Sequence, residues 1–240
     1  MTRRILVTRP EPGASATAAR LERAGFEPLL LPLTRIVPVT VDILPDPGHV
    51  DAVVVTSANA LRCAPAELLG TLAAKAVFAV GDATAEAARD AGLVDVHSAA
   101  GTAADLVRLL RTGLPKGAAI LHLAGRERTE GFAEAVVASG YALRTLELYS
   151  AEKIDYTAEF FCAALGNRPP SGAMVMSLRA GILLAEVLSV VEVRQRLEKT
   201  TLFCISQKVA QPLREITAAR ISVSDEPTED GILRLLLSQA

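Results

Sequence analysis

Short apolar runs alternate along the chain with stretches that have the pattern of amphipathic helices. The run ILVT precedes ASATAARLERAG, and the run VFAVG precedes DATAEAARDAG. The runs AVVVTS and AILHLA are followed in the same way by ANALRC and GFAEAVVASG. Buried strands of parallel sheets read as continuous apolar runs, and a crossing helix must connect two parallel strands. The pattern therefore predicts βα units built on parallel sheets.

The second half of the chain repeats the first. Ile5 and Leu6 correspond to Ile120 and Leu121, and further matches follow in the same order with a slowly growing separation. Two similar α/β units explain this order better than chance does. The further matches are Gly25, Phe26 and Leu33 with Gly140, Tyr141 and Leu148; Val55, Ser57 and Ala60 with Val175, Ser177 and Ala180; Phe78 and Ala85 with Phe203 and Ala210; and Thr102 and Arg108 with Thr228 and Arg234.

Each repeated unit contains a βαβ piece and a three-strand piece, at 5–33 with 52–110 and at 120–148 with 173–237. A five-stranded doubly wound domain needs one piece of each kind. The chain either closes each domain locally or exchanges the pieces, and periodicity alone does not decide between them. The stretches TRIVPVTVDILPDPGHV and ELYSAEKIDY are predicted to cross between the domains, and two crossings are what exchanged pieces produce.

Composition and charge argue against several classes of protein. The net charge is −2, with six Phe, three Tyr and no Trp, which does not favour a nucleic-acid surface. No run approaches the roughly 18 apolar residues of a membrane span, and MTRRILVTRPEPG is too polar for a signal peptide. Cys63, Cys162 and Cys204 have no paired spacing, so we expect buried free thiols, a reducing cytoplasm and no metal site.

Candidate ligand-binding residues follow the predicted strands. In an open parallel sheet, ligands bind beyond the carboxyl ends of the strands, where helix N-termini attract anions. Several such ends suit a ligand with many carboxylates, although Ser57, Asp82 and Ser177 are equally ordinary helix caps. No nucleotide cofactor is expected, because neither GxGxxG nor a GxxxxGKS/T phosphate loop appears. The candidates are Arg9, Thr56, Ser57, Asn59, Gly81, Thr84, Gly125, Arg126, Ser177, Arg179, Ser206 and Lys208.

Tyr149 is the candidate catalytic residue. It lies in LELYSAE, at the end of the second βαβ piece, and is one of only three tyrosines. A phenol at this place either donates a proton or hydrogen bond to a ligand, or packs and satisfies a single hydrogen bond. His49, His97 and His122 are isolated in the sequence, and we expect each to be packed or at the surface rather than catalytic.

The segments ILVTRP, VVVTSANA, AVGDATAEAARDAG, ELYSAE and ISQKVAQPL, in this order, resemble the uroporphyrinogen-III synthase family over nearly the whole chain. The resemblance implies two flavodoxin-like α/β domains, each a doubly wound parallel sheet, with exchanged pieces and a two-stranded linker. Residues 1–36 with 152–240 would form one domain, and 37–151 the domain inserted between its halves.

The resemblance also implies a reaction. The family's substrate is hydroxymethylbilane, a linear tetrapyrrole that carries an acetate and a propionate on each ring. Its terminal hydroxyl leaves as water, the resulting azafulvene is attacked through a spiro intermediate, and the last pyrrole is inverted in the product, uroporphyrinogen III. Neither a cofactor nor a metal takes part. The spontaneous product is the isomer without inversion, so the enzyme's task is chiefly to hold the end rings in the correct geometry.

Some residues match the pattern of the family, and one stretch departs from it. Tyr149 matches the family's tyrosine that is proposed to assist loss of the hydroxyl, and Thr84 matches a threonine at the site. The family often has IG, a small residue and a Thr or Ser where this chain reads ISQKVA. Lys208 in that stretch either pairs with a substrate carboxylate or points into solvent.

Two other functions stay open at this point. A cofactor-free protein of two α/β lobes that binds a polycarboxylate without chemistry has the same sequence features. A flavodoxin-like protein with a flavin phosphate fits less well, because the phosphate loop is missing and aromatic residues are scarce. We further expect the chain to be a monomer.

Overall fold

Strands and helices alternate along most of the chain. The computed structural model describes residues 2–128 and 131–239. None of the helices in these two ranges is long and apolar enough to cross a membrane. The strands are β1 (Arg4–Val7), β2 (Glu27–Leu30), β3 (Thr34–Pro38), β4 (Ala52–Val55), β5 (Ala76–Ala79), β6 (Val96–Ser98), β7 (Ala119–Gly125), β8 (Ala142–Lys153), β9 (Gly172–Val175), β10 (Thr201–Cys204) and β11 (Ile221–Val223).

The helices occupy the stretches between the strands, and a short 3-10 turn covers Pro47–His49. They are α1 (Gly13–Arg23), α2 (Ala58–Cys63), α3 (Ala66–Leu72), α4 (Asp82–Asp90), α5 (Ala103–Gly113), α6 (Phe132–Ala138), α7 (Ala158–Leu165), α8 (Leu178–Ser189), α9 (Val191–Arg196), α10 (Gln207–Arg214) and α11 (Glu229–Ser238).

The chain forms two compact units. The first unit comprises Met1–Arg35 with Glu152–Ala240, and the second comprises Ile36–Ala151. The first has a parallel sheet in the order β2-β1-β9-β10-β11. The second has the order β3-β8-β7-β4-β5-β6, and its last five strands repeat the first sheet's order, also in parallel. Both are doubly wound, flavodoxin-like sheets, and β3 and β8 carry the chain from one unit to the other, so the predicted fold class is confirmed.

Each sheet buries both of its faces. Consecutive side chains of a strand point to opposite faces, so Leu6 lies in one apolar cluster while Ile5 and Val7 lie in another. In the second unit, Val53 and Val54 are divided between two clusters in the same way. A strand with two buried faces needs apolar residues at every position, and this explains the continuous apolar runs in the sequence.

Hydroxyl side chains cap the helices that follow the strands. Each of these side chains accepts a hydrogen bond from a backbone N–H in the first turn of its helix, which otherwise lacks a partner. Since the helices start at the carboxyl ends of the strands, the caps place small polar residues along that edge of each sheet. The caps are Ser57, Thr102, Thr157, Ser177, Ser206 and Thr228.

The free cysteines differ in burial. Cys204 is completely buried in β10, and desolvation raises the pKa of its thiol to about 12. Cys63 and Cys162 are only half-buried, because they lie on helices α2 and α7 at the outside of the sheets. The expectation of a buried thiol is therefore confirmed for one cysteine and wrong for two.

Candidate active site

The ring of Tyr149 lies directly over Gly125 at the carboxyl end of β7. The two residues are register partners across β7 and β8, next to an irregularity between Ala124 and Gly125. A Cβ added to Gly125 would lie 2.6 Å from the Tyr149 Cζ and 2.9 Å from its phenol oxygen. The glycine is therefore required by the close approach of the ring, which is itself only 9% exposed.

Ser57 lies beside the phenol of Tyr149, although β7 separates its strand from β8 in the sheet. It follows β4, and its hydroxyl accepts a hydrogen bond from the Asn59 amide at 3.3 Å. Burial raises the pKa of Tyr149, the nearby Ser57 hydroxyl opposes that rise, and Cys63 and Glu127 add to it. The phenol consequently keeps its proton at neutral pH and is available as a donor.

Glu127 fixes the strand that carries Tyr149. Its carboxylate accepts hydrogen bonds from the Ser150 hydroxyl at 2.8 Å and from the Ala151 amide at 2.6 Å. These two residues directly follow Tyr149 in β8, so the carboxylate connects the loop after β7 to that part of the strand. Glu127 is thus an acid that anchors the strand carrying Tyr149.

Arg126 and Arg128 share one carboxylate. The Arg126 Nε lies 3.3 Å from Glu147, and the Arg128 Nη1 lies 2.8 Å from the other oxygen of the same group. The Arg128 guanidinium also donates to the Gly125 carbonyl at 2.6 Å. The hydrogen bond from Arg128 is the largest cause that lowers the pKa of Glu147. Both guanidinium groups are partly exposed, and with the carboxylates of Glu147 and Glu127 they form a cluster of two cations and two anions near Tyr149.

The start of α4 differs from the sequence interpretation. Gly81 is the N-cap residue, with an extended backbone, and Asp82 is the first residue of the helix. The Asp82 carboxylate accepts a hydrogen bond from the Ser98 hydroxyl at 2.7 Å, so its predicted role as the cap is wrong. The helix begins one residue earlier than the sequence predicts, because the extended N-cap conformation is adopted by Gly81, which has open space around its Cβ position. Thr84 is buried on the same helix, with 7% exposed.

In the first unit, two capped helix starts carry the basic candidates. Ser177 caps α8 through the Ala180 amide at 3.1 Å, and the Arg179 Nε is buried without a hydrogen-bond partner within residues 2–128 and 131–239. Ser206 caps α10 through the Val209 amide, and Lys208 is exposed in the first turn of that helix.

Arg9, after β1, takes part in an ion pair within the first unit. Its guanidinium donates to Glu229 at 3.1 Å and to the Thr17 hydroxyl at 3.2 Å, and Thr17 also donates to Glu229 at 2.9 Å. The Arg9 side chain packs against Gly13, where an added Cβ would lie 2.6 Å from its Nε. This residue therefore joins α1 to α11, and an incoming carboxylate would compete with Glu229 for it.

The structure groups the predicted residues by unit. Those of each unit lie at the carboxyl edge of its own parallel sheet, as the open-sheet rule predicts. Thr56, Ser57, Asn59, Gly81, Thr84, Gly125, Arg126 and Tyr149 are in the second unit, and Arg9, Ser177, Arg179, Ser206 and Lys208 are in the first.

Comparison with known proteins identifies the family of this chain. Residues 15–234 match the family described as Uroporphyrinogen-III synthase HemD. The chain belongs to the uroporphyrinogen-III synthase family. Among solved structures, it matches a uroporphyrinogen-III synthetase from Helicobacter pylori, with 17% identity, 100% coverage of both chains and a TM-score of 0.65. It also matches a mutant uroporphyrinogen III synthase from Thermus thermophilus, with 21% identity, 99% coverage of this chain, 98% of the other and a TM-score of 0.59. No protein of curated function matches the sequence significantly.

As a uroporphyrinogen-III synthase, the chain is a cyclising lyase of tetrapyrrole and heme biosynthesis. It closes hydroxymethylbilane with loss of water and inversion of the terminal ring, and the product is uroporphyrinogen III. The alternative of a two-lobed binding protein without chemistry gains no support from the family match.

Sequence reasoning missed two residues of this uroporphyrinogen-III synthase. Glu127, in the loop after β7, accepts a hydrogen bond from the backbone of β8. No local sequence pattern shows this contact. The sequence predicts a packed or surface role for His122, which is indeed buried, but does not show that its Nε2 lies 3.1 Å from the Thr56 hydroxyl. The available signal was the histidine itself, a polar residue inside the apolar run AILHLA.

His122 gives the enzyme a testable acid sensitivity. It is 3% exposed, and desolvation, together with the charge of Arg128, lowers the pKa of its imidazole to about 4. The unfolded chain takes up this proton near pH 6.5, so stability is complete above that pH and is lost as the pH falls towards 4. We expect His122→Phe to remove about 3 kcal/mol of the pH-dependent loss between pH 7 and pH 4, measured by urea unfolding.

The control for that measurement is His49→Phe. The His49 side chain is 87% exposed, so its replacement should leave the pH dependence close to that of the wild type. If His122→Phe loses as much stability between pH 7 and pH 4 as the wild type does, another group takes up the proton.

Proposed function

We propose that the carboxyl edge of the second unit's sheet binds the hydroxymethyl-bearing ring of hydroxymethylbilane, with Tyr149 as the group that assists departure of the hydroxyl. The observation that carries this proposal is the buried phenol of Tyr149, which lies on Gly125 of β7 and beside Ser57 at the end of β4. A side chain held from two neighbouring strands has little freedom, and such preorganisation favours a reaction that depends on orientation.

The chemistry requires a donor at the leaving oxygen. As the bond between the methylene carbon and the hydroxyl breaks, electrons of the pyrrole form an azafulvenium cation, and the hydroxyl takes a proton from a donor to leave as water. The ring N–H then gives its proton back to that donor, which yields the neutral azafulvene. Tyr149 keeps its proton at neutral pH because burial raises its pKa. It therefore supplies a hydrogen bond to the leaving oxygen, and a proton as the bond breaks.

The carboxylates of the substrate require complementary charge. Arg126 in the second unit, and Arg179 and Lys208 in the first, supply cations at the carboxyl edges of their sheets. The helix starts at Ser57, Gly81, Ser177 and Ser206 supply backbone N–H groups for the remaining carboxylates. In this proposal, Thr84 and Asn59 contribute polar side chains to the binding surface of the second unit.

The proposed activity is tested by the rate at which the purified chain consumes freshly prepared hydroxymethylbilane, without any added cofactor. We expect consumption well above the rate of uncatalysed ring closure and proportional to the enzyme concentration. Consumption at the uncatalysed rate would overturn the proposed function.

Lys208 gives a prediction specific to this chain. Because the side chain is exposed, its interaction with a substrate carboxylate is screened, and Lys208→Ala should raise KM about 2-fold to 5-fold with kcat unchanged. Lys199→Ala, at another exposed lysine of the same unit, is the matched control. If both variants have the wild-type KM, Lys208 points into solvent in the complex.

We further propose that the enzyme acts as a cytoplasmic monomer. Sedimentation of the purified chain tests the oligomeric state, and fractionation of cells that express it tests the location.

A further inference from the structure

His122 places a polar ring in an apolar face of the second unit's sheet. It lies in β7 beside Val54 of β4, its register partner, and only 3% of it is exposed. Its ring meets Phe132 edge-on, with 5.1 Å between the ring centroids. Burial of a polar group in such surroundings is unfavourable unless the group makes a hydrogen bond, so the partner of the imidazole matters.

That partner is the hydroxyl of Thr56, 3.1 Å from the His122 Nε2. Thr56 is the first residue after β4 and lies two positions beyond Val54, so its side chain emerges on the same face as His122. The other ring nitrogen, Nδ1, is buried without a hydrogen-bond partner in the part of the chain that the structure describes.

These contacts determine where the imidazole carries its proton. A neutral imidazole has one N–H donor and one acceptor nitrogen. A proton on Nδ1 would be a buried N–H without an acceptor, and an orphaned buried donor is rarer in proteins than an orphaned acceptor. We therefore assign the proton to Nε2, which donates to the Thr56 oxygen.

With its oxygen accepting from His122, the Thr56 hydroxyl keeps its own hydrogen for another partner. No second hydrogen-bond partner of this hydroxyl is found within residues 2–128 and 131–239, and Thr56 is only half-buried. It adjoins Ser57, whose side chain lies beside the Tyr149 phenol. We propose that His122 is a positioning residue, which fixes the Thr56 hydroxyl as a hydrogen-bond donor to a carboxylate of the tetrapyrrole. This inference rests on the proposed function.

The test measures KM for hydroxymethylbilane in variants of the full chain. His122→Phe keeps a ring but removes the donor, and should raise KM about 10-fold, as expected for a lost hydrogen bond to a charged group. Thr56→Val should raise KM to a similar extent, with kcat in both variants within about 3-fold of the wild type. His122→Gln, whose amide nitrogen reaches the position of Nε2, should restore most of the affinity.

A double variant tests whether the two residues act in series. His122→Phe combined with Thr56→Val should have the KM of Thr56→Val alone, because the imidazole acts only through that hydroxyl. KM does not depend on the fraction of folded enzyme, so a destabilised variant still gives a valid result. His49→Phe, at an exposed histidine, serves as the control with wild-type KM.

The outcomes separate this inference from the proposed function. An unchanged KM in His122→Phe, an unchanged KM in Thr56→Val, or additive effects in the double variant would each overturn the role of His122. Failure of the wild-type chain to consume the substrate would instead overturn the proposed function.

Discussion

Replacement of Gly125 by alanine is expected to lower kcat about 100-fold while leaving the protein folded. The new Cβ would lie 2.6 Å from the Tyr149 Cζ and 2.8 Å from its Cε2, distances that real Cβ atoms do not sustain. The contacts fall on the buried ring rather than on the backbone, so the ring shifts and the fold is kept, with some loss of stability. A phenol displaced by about 1 Å loses its alignment with the leaving hydroxyl, which is sufficient for a loss of this size.

Initial rates at saturating substrate, corrected for uncatalysed closure, measure this effect. Gly70→Ala is the matched control, because Gly70 lies within α3 of the same unit and nothing lies within 4 Å of its Cβ position. That variant should keep the wild-type kcat and gain stability, since alanine favours a helix more than glycine does. A wild-type kcat in Gly125→Ala would show that the ring position does not limit the reaction.

Tyr149→Phe is expected to lower kcat about 10-fold to 100-fold with little change in KM. The variant keeps the ring on Gly125 and loses only the phenol hydroxyl, so the effect isolates the donor. The loss should be smaller than for a full acid–base deletion, because orientation of the rings supplies most of the rate enhancement. Gly125→Ala should also have a much weaker effect in this background, since the displaced group is already missing.

The control for the phenol is Tyr141→Phe. Tyr141 is a buried tyrosine of the same unit, and its hydroxyl donates to the Leu110 carbonyl at 2.9 Å. This variant should lose stability by about 1 kcal/mol and keep its kcat. If Tyr149→Phe behaves like Tyr141→Phe, with lower stability and an unchanged kcat, then Tyr149 only packs.

The fold could be predicted from the sequence because its signals are local. Strands with two buried faces need continuous apolar runs, as in AVVV of β4, and the helices between them show their caps at Ser57 and Ser177. The internal repeat then indicated two sheets of like order. Two suitable cap residues adjoin at the start of α4, so residue type alone favours Asp82 as the cap where the structure has Gly81.

The detailed arrangement of the candidate site could not be predicted because its contacts are distant in sequence. Arg9 pairs with Glu229, which lies in α11 near the other end of the chain. The approach of Tyr149 to Gly125 depends on a local irregularity in strand register, which has no sequence signature here. The sequence predicts a packed or surface role for His122, and the positioning role proposed above rests on Thr56, which directly follows the adjacent strand β4.

The central claim is that this chain directs ring closure towards inversion of the terminal pyrrole. The most direct test incubates purified enzyme with fresh hydroxymethylbilane, oxidises the products to porphyrins and separates the type I and type III isomers. The account predicts predominantly type III with the wild type, and a fraction of type III that falls in Gly125→Ala and Tyr149→Phe as spontaneous closure competes. Type I alone, formed at the uncatalysed rate by the wild-type chain, would contradict it.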